Sequence, residues 1–401
     1  MVPKLRFKEF CGEWDLKLLK DITEKIGDGL HGTPKYDENG EYFFINGNNI
    51  RNGKIIVLEE NKKVGEDEFI KNDKGLDFDT VLMSINGTIG NLAYYNNEKV
   101  FLGKSVAYIK VSDEIKKQYL FQVLQTNFIQ KYYTLSLTGT TIKNLGLDAI
   151  RNTKIKLPSL PEQTKIADFL STVDDKIQNQ QDKITHLENI KKGFMQKIFS
   201  RKIRFKDDEG EEFPEWEEKK LGDIADIYDG THQTPNYVSS GIPFVSVENI
   251  KDLYKTEKYI ELDAFKREFK IYPQKNDILM TRIGDIGTPC IVEKNDKIAY
   301  YVSLALIKIH KNNKVISNFL LQYIKNSKFQ SELWKRTLHI AFPKKINKCE
   351  ISKCLIYLPC IKEQQKIADF LSSFDEKISI EKETLEHLKQ LKKGLLQQMF
   401  V

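Results

Sequence analysis

The chain has 401 residues, 30% of them charged, with 63 Lys and Arg against 57 Asp and Glu for a formal net charge of +6. That length exceeds what one core usually serves, so two or more domains are expected. No segment approaches eighteen uncharged apolar residues, and the start, Met-Val-Pro-Lys-Leu-Arg-Phe-Lys, has no apolar signal core, so a cytoplasmic protein with no membrane partner is expected.

In chain order, Glu13-Trp14 with Leu19-Lys20-Asp21-Ile22 comes first, and it recurs as Glu215-Trp216 with Leu221-Gly222-Asp223-Ile224. The Gly/Pro-containing stretch Gly29-Leu30-His31-Gly32-Thr33-Pro34-Lys35-Tyr36 reads as a loop and recurs as Gly230-Thr231-His232-Gln233-Thr234-Pro235-Asn236-Tyr237. His31 and His232 each stand alone there, with no second ligand or acid expected beside them. Short β-type runs follow at Lys54–Leu58 and Thr80–Ile85, the latter opening into Asn86-Gly87-Thr88-Ile89-Gly90. The partner run, Asp277–Arg282, opens into Ile283-Gly284-Asp285-Ile286-Gly287; glycine after a strand lets backbone approach a ligand or another chain, or simply turns a hairpin. A further β run, Ser105–Ile109 with its counterpart Ser303–Ile307, leads into helical regions over about 113–132 and 317–336. Ser112 or Asp113, and Ser317, are the expected N-caps. A basic loop, where Lys143 aligns with Lys344, completes each half.

The strongest repeat comes next. Residues 157–171 read LPSLPEQTKIADFLS and residues 358–372 read LPCIKEQQKIADFLS, identical at eleven of fifteen positions. Steps alternating by four and three from Ile166 reach Leu170, Val173, Ile177, Gln180, Ile184, Leu187, Lys191, Phe194 and Ile198. From Ile367 the same walk reaches Leu371, Phe374, Ile378, Glu381, Leu385, Leu388, Lys392, Leu395 and Met399, with its polar interruptions at the same steps. Such spacing holds one narrow apolar stripe against a partner helix, the seam of a coiled coil. Near forty residues at about 1.5 Å each make a rod of roughly 60 Å. Two equal rods in one chain satisfy each other, though each could instead pack only on its own globular half. Pro161 and Glu162 suit the first turn of the first helix, whereas Lys362 replaces that proline in the second.

The expected fold is therefore an α/β (α+β) tandem: globular residues 1–156, helix 157–200, globular residues 201–357, helix 358–401. Antiparallel rods would put the globular halves at opposite ends with approximate two-fold symmetry. Charge follows the repeat. Residues 1–98 hold 13 Lys and Arg against 18 Asp and Glu, and residues 99–160 hold 10 against 3; residues 201–299 hold 16 against 21, and residues 300–358 hold 11 against 2. Two separate basic fields suit a polyanion touched at two places.

Catalytic patterns are missing. Gly103-Lys104-Ser105 has the tail of a phosphate-binding loop, but the glycine required five residues earlier is Glu98. There is no nucleophile elbow, no zinc-protease helix and no Pro-Pro dipeptide of the kind an amino-methyltransferase motif needs, and triplets such as Asp15-Leu16-Lys17 arise freely in so charged a chain. Cys349, Cys354 and Cys360 form no Cys-x-x-Cys pair, Cys11 and Cys290 are isolated, and His339 stands at no zinc-ligand spacing, so no metal site is expected.

Two copies of Leu-Pro followed by Glu-Gln-x-Lys-Ile-Ala-Asp-Phe-Leu-Ser, each opening a long helix after a divergent globular region, resemble the DNA-specificity subunit of type I restriction-modification systems over essentially the whole chain. The resemblance implies two target recognition domains that each read one part of a split duplex DNA site. It also implies rods that set the spacing and dock two methyltransferase subunits, with restriction subunits joining for translocation and cleavage. Catalysis, with S-adenosylmethionine, ATP and Mg, would belong to those other subunits, and this chain would bind no cofactor. Candidate DNA contacts are His31, Thr33, Lys35, Asn86, Lys104 and Lys143 in the first half, and His232, Thr234, Arg282 and Lys344 in the second. Arg282 stands out because an arginine on a guanine edge is the commonest base contact. Ile166, Leu170, Val173, Ile177, Ile184 and Leu187, with Ile367, Leu371, Phe374, Ile378, Leu385 and Leu388, are the expected seam and docking residues. A self-contained nuclease or methyltransferase, or a coiled-coil scaffold that binds no nucleic acid, are the competing readings.

Overall fold

Alternation of side chains along two central strands organises each half. The computed structural model describes residues 2–141, 143–311 and 314–400. They form two compact units, one discontinuous in sequence, Met1–Asp182 with Glu383–Val401, and one continuous, Lys183–Lys382.

In the N-terminal unit a four-stranded antiparallel sheet runs in the order Thr23–Asp28, Val106–Val111, Thr80–Ser84, Leu92–Tyr94. Thr80–Ser84 is buried along its whole length. Val81 and Met83, with Ala107 and Ile109 across the ladder, face one core, while Leu82, Val106 and Tyr108 face a second, smaller one. The period of two thus feeds two cores from one sheet. The smaller core is closed by a three-stranded sheet in which Tyr42–Ile45 pairs in parallel with Val100–Leu102. The second unit repeats the plan with Ala225–Asp229, Leu304–Ile309, Ile278–Thr281 and Pro289–Ile291. There Ile278, Met280, Ala305 and Ile307 face the larger core, and Leu279, Leu304 and Leu306 the smaller.

The helical regions differ from expectation in one respect shared by both units. Each is two short helices, Lys117–Leu124 then Asn127–Leu135, and Ser317–Lys325 then Ser327–Lys335. Asn326 breaks the second pair by capping the next helix, its side chain accepting from the Phe329 amide. Neither region is capped by the expected serine: Lys116 and Ile316 hold the cap positions, and the Ser112 hydroxyl donates to the Ile22 carbonyl instead. The β run at Lys54–Leu58 shortens to Lys54–Ile55.

A two-stranded clamp, Asp15–Leu18 with Lys154–Leu157, ties the start of the N-terminal unit to the residues just before its long helix; Glu217–Lys220 with Leu355–Leu358 does the same in the other. The long helices span Leu160–Phe199 and Ile361–Met399. In the N-terminal unit Ile166 and Leu170 share a core with Leu396 and Met399, and Asp174 pairs with Lys392 at 2.5 Å. In the second unit Lys183 meets Glu381 and Lys191 meets Asp375, both at 2.6 Å. Numbers rise on one helix as they fall on the other, so within each unit the segments run antiparallel. Val173, Ile184, Ile378 and Leu385 are buried, and Ile177, Leu187, Phe374 and Leu388 half-buried. Ile166, Leu170, Ile367 and Leu371 also belong to the globular cores, so the seam and the domain core are one apolar surface at those turns. Among the described residues no helix is long and apolar enough to cross a membrane.

Candidate nucleic-acid interface

Each helix start is locked to its globular region by the same set of side chains. Glu162, almost fully buried, accepts from Arg6 Nε and Nη2 at 2.7 and 2.8 Å and from Trp14 Nε1 at 3.3 Å. Glu363 accepts from Arg204 at 3.2 and 2.8 Å and from Trp216 at 3.0 Å. The charged bonds to the carboxylates push both arginines further from deprotonation. The next residue completes the lock. Gln163 donates to the Pro158 and Glu114 carbonyls and accepts from the Lys116 amide, as Gln364 does with Pro359, Lys314 and Ile316. The Glu-Gln pair is therefore architectural, more than a favourable charge at a helix start. Arg6 and Arg204 were not singled out from sequence; the matched tetrapeptides Leu5-Arg6-Phe7-Lys8 and Ile203-Arg204-Phe205-Lys206 carry that signal.

At the edge of the N-terminal sheet, three chain segments frame an open cleft of about 490 Å³. The first leaves strand Thr23–Asp28 through Gly29, where a Cβ would stand 2.2 Å from the Leu102 carbonyl oxygen, so only glycine fits. The second is the turn after Thr80–Ser84. Ile85 donates its amide to Ser105 and its carbonyl accepts from Leu145, both at 2.9 Å, which brings Asn86 opposite Asn144. The third is the stretch Lys104-Ser105, whose serine hydroxyl accepts from the Gly47 amide and donates to Asn46. His31, Asn86 and Lys104 thus line one cleft with Asp28, Asn46 and Asn144. Thr33, Lys35 and Lys143 are exposed nearby in sequence and do not line it. His31 is not alone, since its Nε2 lies 2.7 Å from Asp28 Oδ2. The acid three residues back was visible in the sequence, and the loop geometry turns the ring onto it.

The second unit builds the same frame and fills it differently. Gly230 is equally tight against the Tyr300 carbonyl, and Arg282 takes the place of Ile85, its amide donating to Ser303 and its carbonyl accepting from Ile346. Arg282 is buried, 6% exposed. Its Nε donates to the Ile346 carbonyl at 3.0 Å and its Nη1 to Asp229. Asp229 also faces Lys348 Nζ at 3.9 Å and His232 Nε2 at 3.8 Å. His232, Thr234 and Lys344 are exposed. All the sequence-selected contacts are therefore at least partly accessible except Arg282, whose guanidinium is spent inside the protein.

Among the described residues no group of three or more His, Cys, Asp or Glu side chains is placed to hold a metal ion. Burial pushes the Cys354 thiol up to about 12 and the Cys290 thiol to about 11, so neither is a thiolate nucleophile at neutral pH.

A family model described as the type I restriction modification DNA specificity domain matches residues 12–189 and again 214–390. The type I restriction enzyme MjaVIII specificity subunit of Methanocaldococcus jannaschii is 26% identical over 417 residues, covering 97% of this chain and 94% of that one. The crystal structure of a type I restriction-modification S subunit from M. genitalium aligns with TM-score 0.60 and 18% identity over 100% of this chain and 99% of that one. A structure described as the basis of complex assembly and conformational transition of the type I system aligns with TM-score 0.55 and 17% identity over 98% of both chains.

Proposed function

The chain belongs to the type I restriction-modification DNA specificity family, and from that premise we propose that residues 1–156 and 201–357 each read one part of a split, asymmetric duplex site. The observation that carries this reading is the repeated frame with unlike edges. Two identical locks hold two equivalent scaffolds, while the residues at the reading edge differ, as Ile85, Asn86 and Lys104 do from Arg282, Ile283 and Val302. Related scaffolds with different edges can bind different half-sites.

In the N-terminal unit His31, Asn86 and Lys104 meet the duplex at the cleft, with Thr33, Lys35 and Lys143 on flanking phosphates. In the second unit His232, Thr234 and Lys344 take the exposed roles. Arg282 acts from behind, as a brace that holds Asp229 and the Ile346 carbonyl. The helices set the distance between half-sites, and a rod of roughly 60 Å matches about 18 base pairs at 3.4 Å each. Their repeated seam, from Ile166 to Leu187 and from Ile367 to Leu388, offers the same docking surface twice, suited to two methyltransferase subunits. Those subunits would supply S-adenosylmethionine chemistry, and restriction subunits ATP- and Mg-dependent cleavage, in the cytoplasm; this chain performs no catalytic step.

The test is a map of N6-methyladenine in DNA from cells expressing this chain with a compatible methyltransferase subunit. The expected result is one split motif with a fixed gap, of which replacement of residues 1–156 alters one part. A contiguous motif, or alteration of both parts, overturns the reading.

A further inference from the structure

The hairpins beside the two candidate reading edges differ at their tips. In the N-terminal unit Leu137–Thr138 pairs with Asn144–Leu145, and the residues between read Gly139-Thr140-Thr141-Ile142-Lys143, of which Ile142 lies outside the described residues and Gly139, Thr140, Thr141 and Lys143 are exposed. In the second unit Leu338 bridges to Lys345, and His339-Ile340-Ala341-Phe342-Pro343-Lys344 lies between. Ile340 and Phe342 there are 100% and 104% exposed. An isoleucine and a phenylalanine two residues apart, both wholly in water, are apolar surface that folding of this chain does not use.

The tip is held up. Leu338 donates its amide to the Lys345 carbonyl and Gly284 donates to the Lys344 carbonyl, both at 2.8 Å, which ties the hairpin to the turn that follows Arg282. His339 Nε2 lies 2.9 Å from the Trp334 carbonyl, and Lys344 Nζ lies 4.5 Å from the centre of the Trp334 ring. Lys344 and Lys345 follow the apolar tip directly, and both are exposed. Trp334 and Leu338 at the base of the hairpin are 55% and 41% exposed, but Lys344 and His339 lie on the Trp334 ring, so the fully solvated apolar surface is two side chains followed by two lysines, too small and too charged for the apolar centre of a protein interface. They do match a base stack edged by phosphates, where apolar wedges part neighbouring base pairs and lysines contact the backbone.

We propose that Phe342, supported by Ile340, is a wedge that enters the base stack of the half-site read by residues 201–357, with Lys344 and Lys345 on the adjoining phosphates. The inference rests on the reading of that unit as a DNA reader. The N-terminal hairpin, residues 137–145, has no aromatic side chain to serve as such a wedge, so the distortion belongs to one half of the site.

The test uses the full chain assembled with its methyltransferase subunits and a duplex bearing the mapped split site, with 2-aminopurine stepped through both halves at positions other than the methylated adenine. Binding is expected to raise fluorescence at one step in the half read by residues 201–357 and at none in the other half. Phe342→Ala removes that rise and weakens binding roughly tenfold, the loss of about one base-stacking contact, whereas Phe342→Leu retains most of both. Unchanged fluorescence with Phe342→Ala overturns the wedge, as does weaker binding with the rise intact, which is groove contact without insertion. Loss of the methyltransferase subunits on purification of Phe342→Ala overturns it in favour of a protein contact. A methylation map with no split site overturns the DNA-reading assignment itself; a split site with flat fluorescence overturns the wedge alone.

Discussion

In the N-terminal unit the residue after the central strand is Ile85, and the cleft beside Asp28 stays open. In the second unit the same position is Arg282, and its guanidinium closes onto Asp229 and the Ile346 carbonyl. The scaffolds around these positions agree down to the tight glycine, the serine that anchors the neighbouring loop, and the Arg–Glu–Trp lock at the helix start. The comparison teaches that frame and reading edge are separable. The frame is fixed by buried, partnered polar groups that tolerate little change, while the edge gains or loses a positive charge from one unit to the other without disturbing the fold.

The largest effects should come from the features the units share. Glu162→Ala and Glu363→Ala each leave an indole N–H unpaired and take the buried carboxylate from a guanidinium that keeps only its outer partners, the Cys11 and Gly12 carbonyls for Arg6 and Glu215 with the Phe213 and Pro214 carbonyls for Arg204. Each should cost about 3 kcal/mol in urea denaturation. Markedly unequal costs would break the equivalence of the two frames. Arg282→Ile gives the second unit the residue type of the first and leaves Asp229 with only the longer contacts to Lys348 and His232. A loss of about 2 kcal/mol is expected, below that of the locks because Asp229 keeps partial access to water. The methylation map should change only in the half read by residues 201–357; change in the other half would show the edges to be coupled. Next in size is the charge that only one edge carries. Lys104→Ala should lower the log–log salt slope of DNA binding by about 1, and Val302→Lys at the matching place should raise it by about 1, as one phosphate contact requires. A slope that ignores both removes Lys104 from the interface.

The smallest effect concerns the buried ion pair along the helices of the second unit. Burial alone would raise the Asp375 carboxyl, but the Lys191 ammonium at 2.6 Å, the charge of Lys325 and the Gln322 amide together hold it below its ordinary value. The unfolded chain therefore takes up this proton first. The pair contributes fully above the ordinary aspartate value of about 3.9 and is lost as pH falls through the lower folded value. Hydrogen exchange of residues 183–199 and 361–382 should quicken on that acid side, and Asp375→Asn should abolish the dependence. The homologous pair of the N-terminal unit, Asp174 with Lys392 and Gln122, offers an internal reference for geometry.

Much of this fold is legible because it is repeated or periodic. The alternation in Thr80–Ser84 and Ile278–Thr281, the narrow stripe from Ile166 and from Ile367, and the internal homology that equates His31 with His232 all lie in stretches short enough for local pattern to express them. The polar interruptions Lys191 and Lys392 were legible as positions only. That each is answered by an aspartate of the other helix, Asp375 and Asp174, follows from the antiparallel register. The candidate edge was half legible: His31, Asn86 and Lys104 fall in one cleft, but the acid beside His31 and the neighbours Asn46 and Asn144 come from loop closure.

By itself the sequence determined the tandem plan, the two long helices and their common seam, because hydrophobic period and duplication act over neighbouring residues and need no partner to be recognised. Only the tertiary structure decided what the charged groups do: that Arg6 and Arg204 clasp glutamates more than 150 residues away, that Arg282 is an internal brace, and that Phe342 is left in water. The physical reason is that a charge in a sequence has no assigned partner. Whether it meets solvent, a carboxylate or a carbonyl depends on which distant segment the packed cores bring beside it.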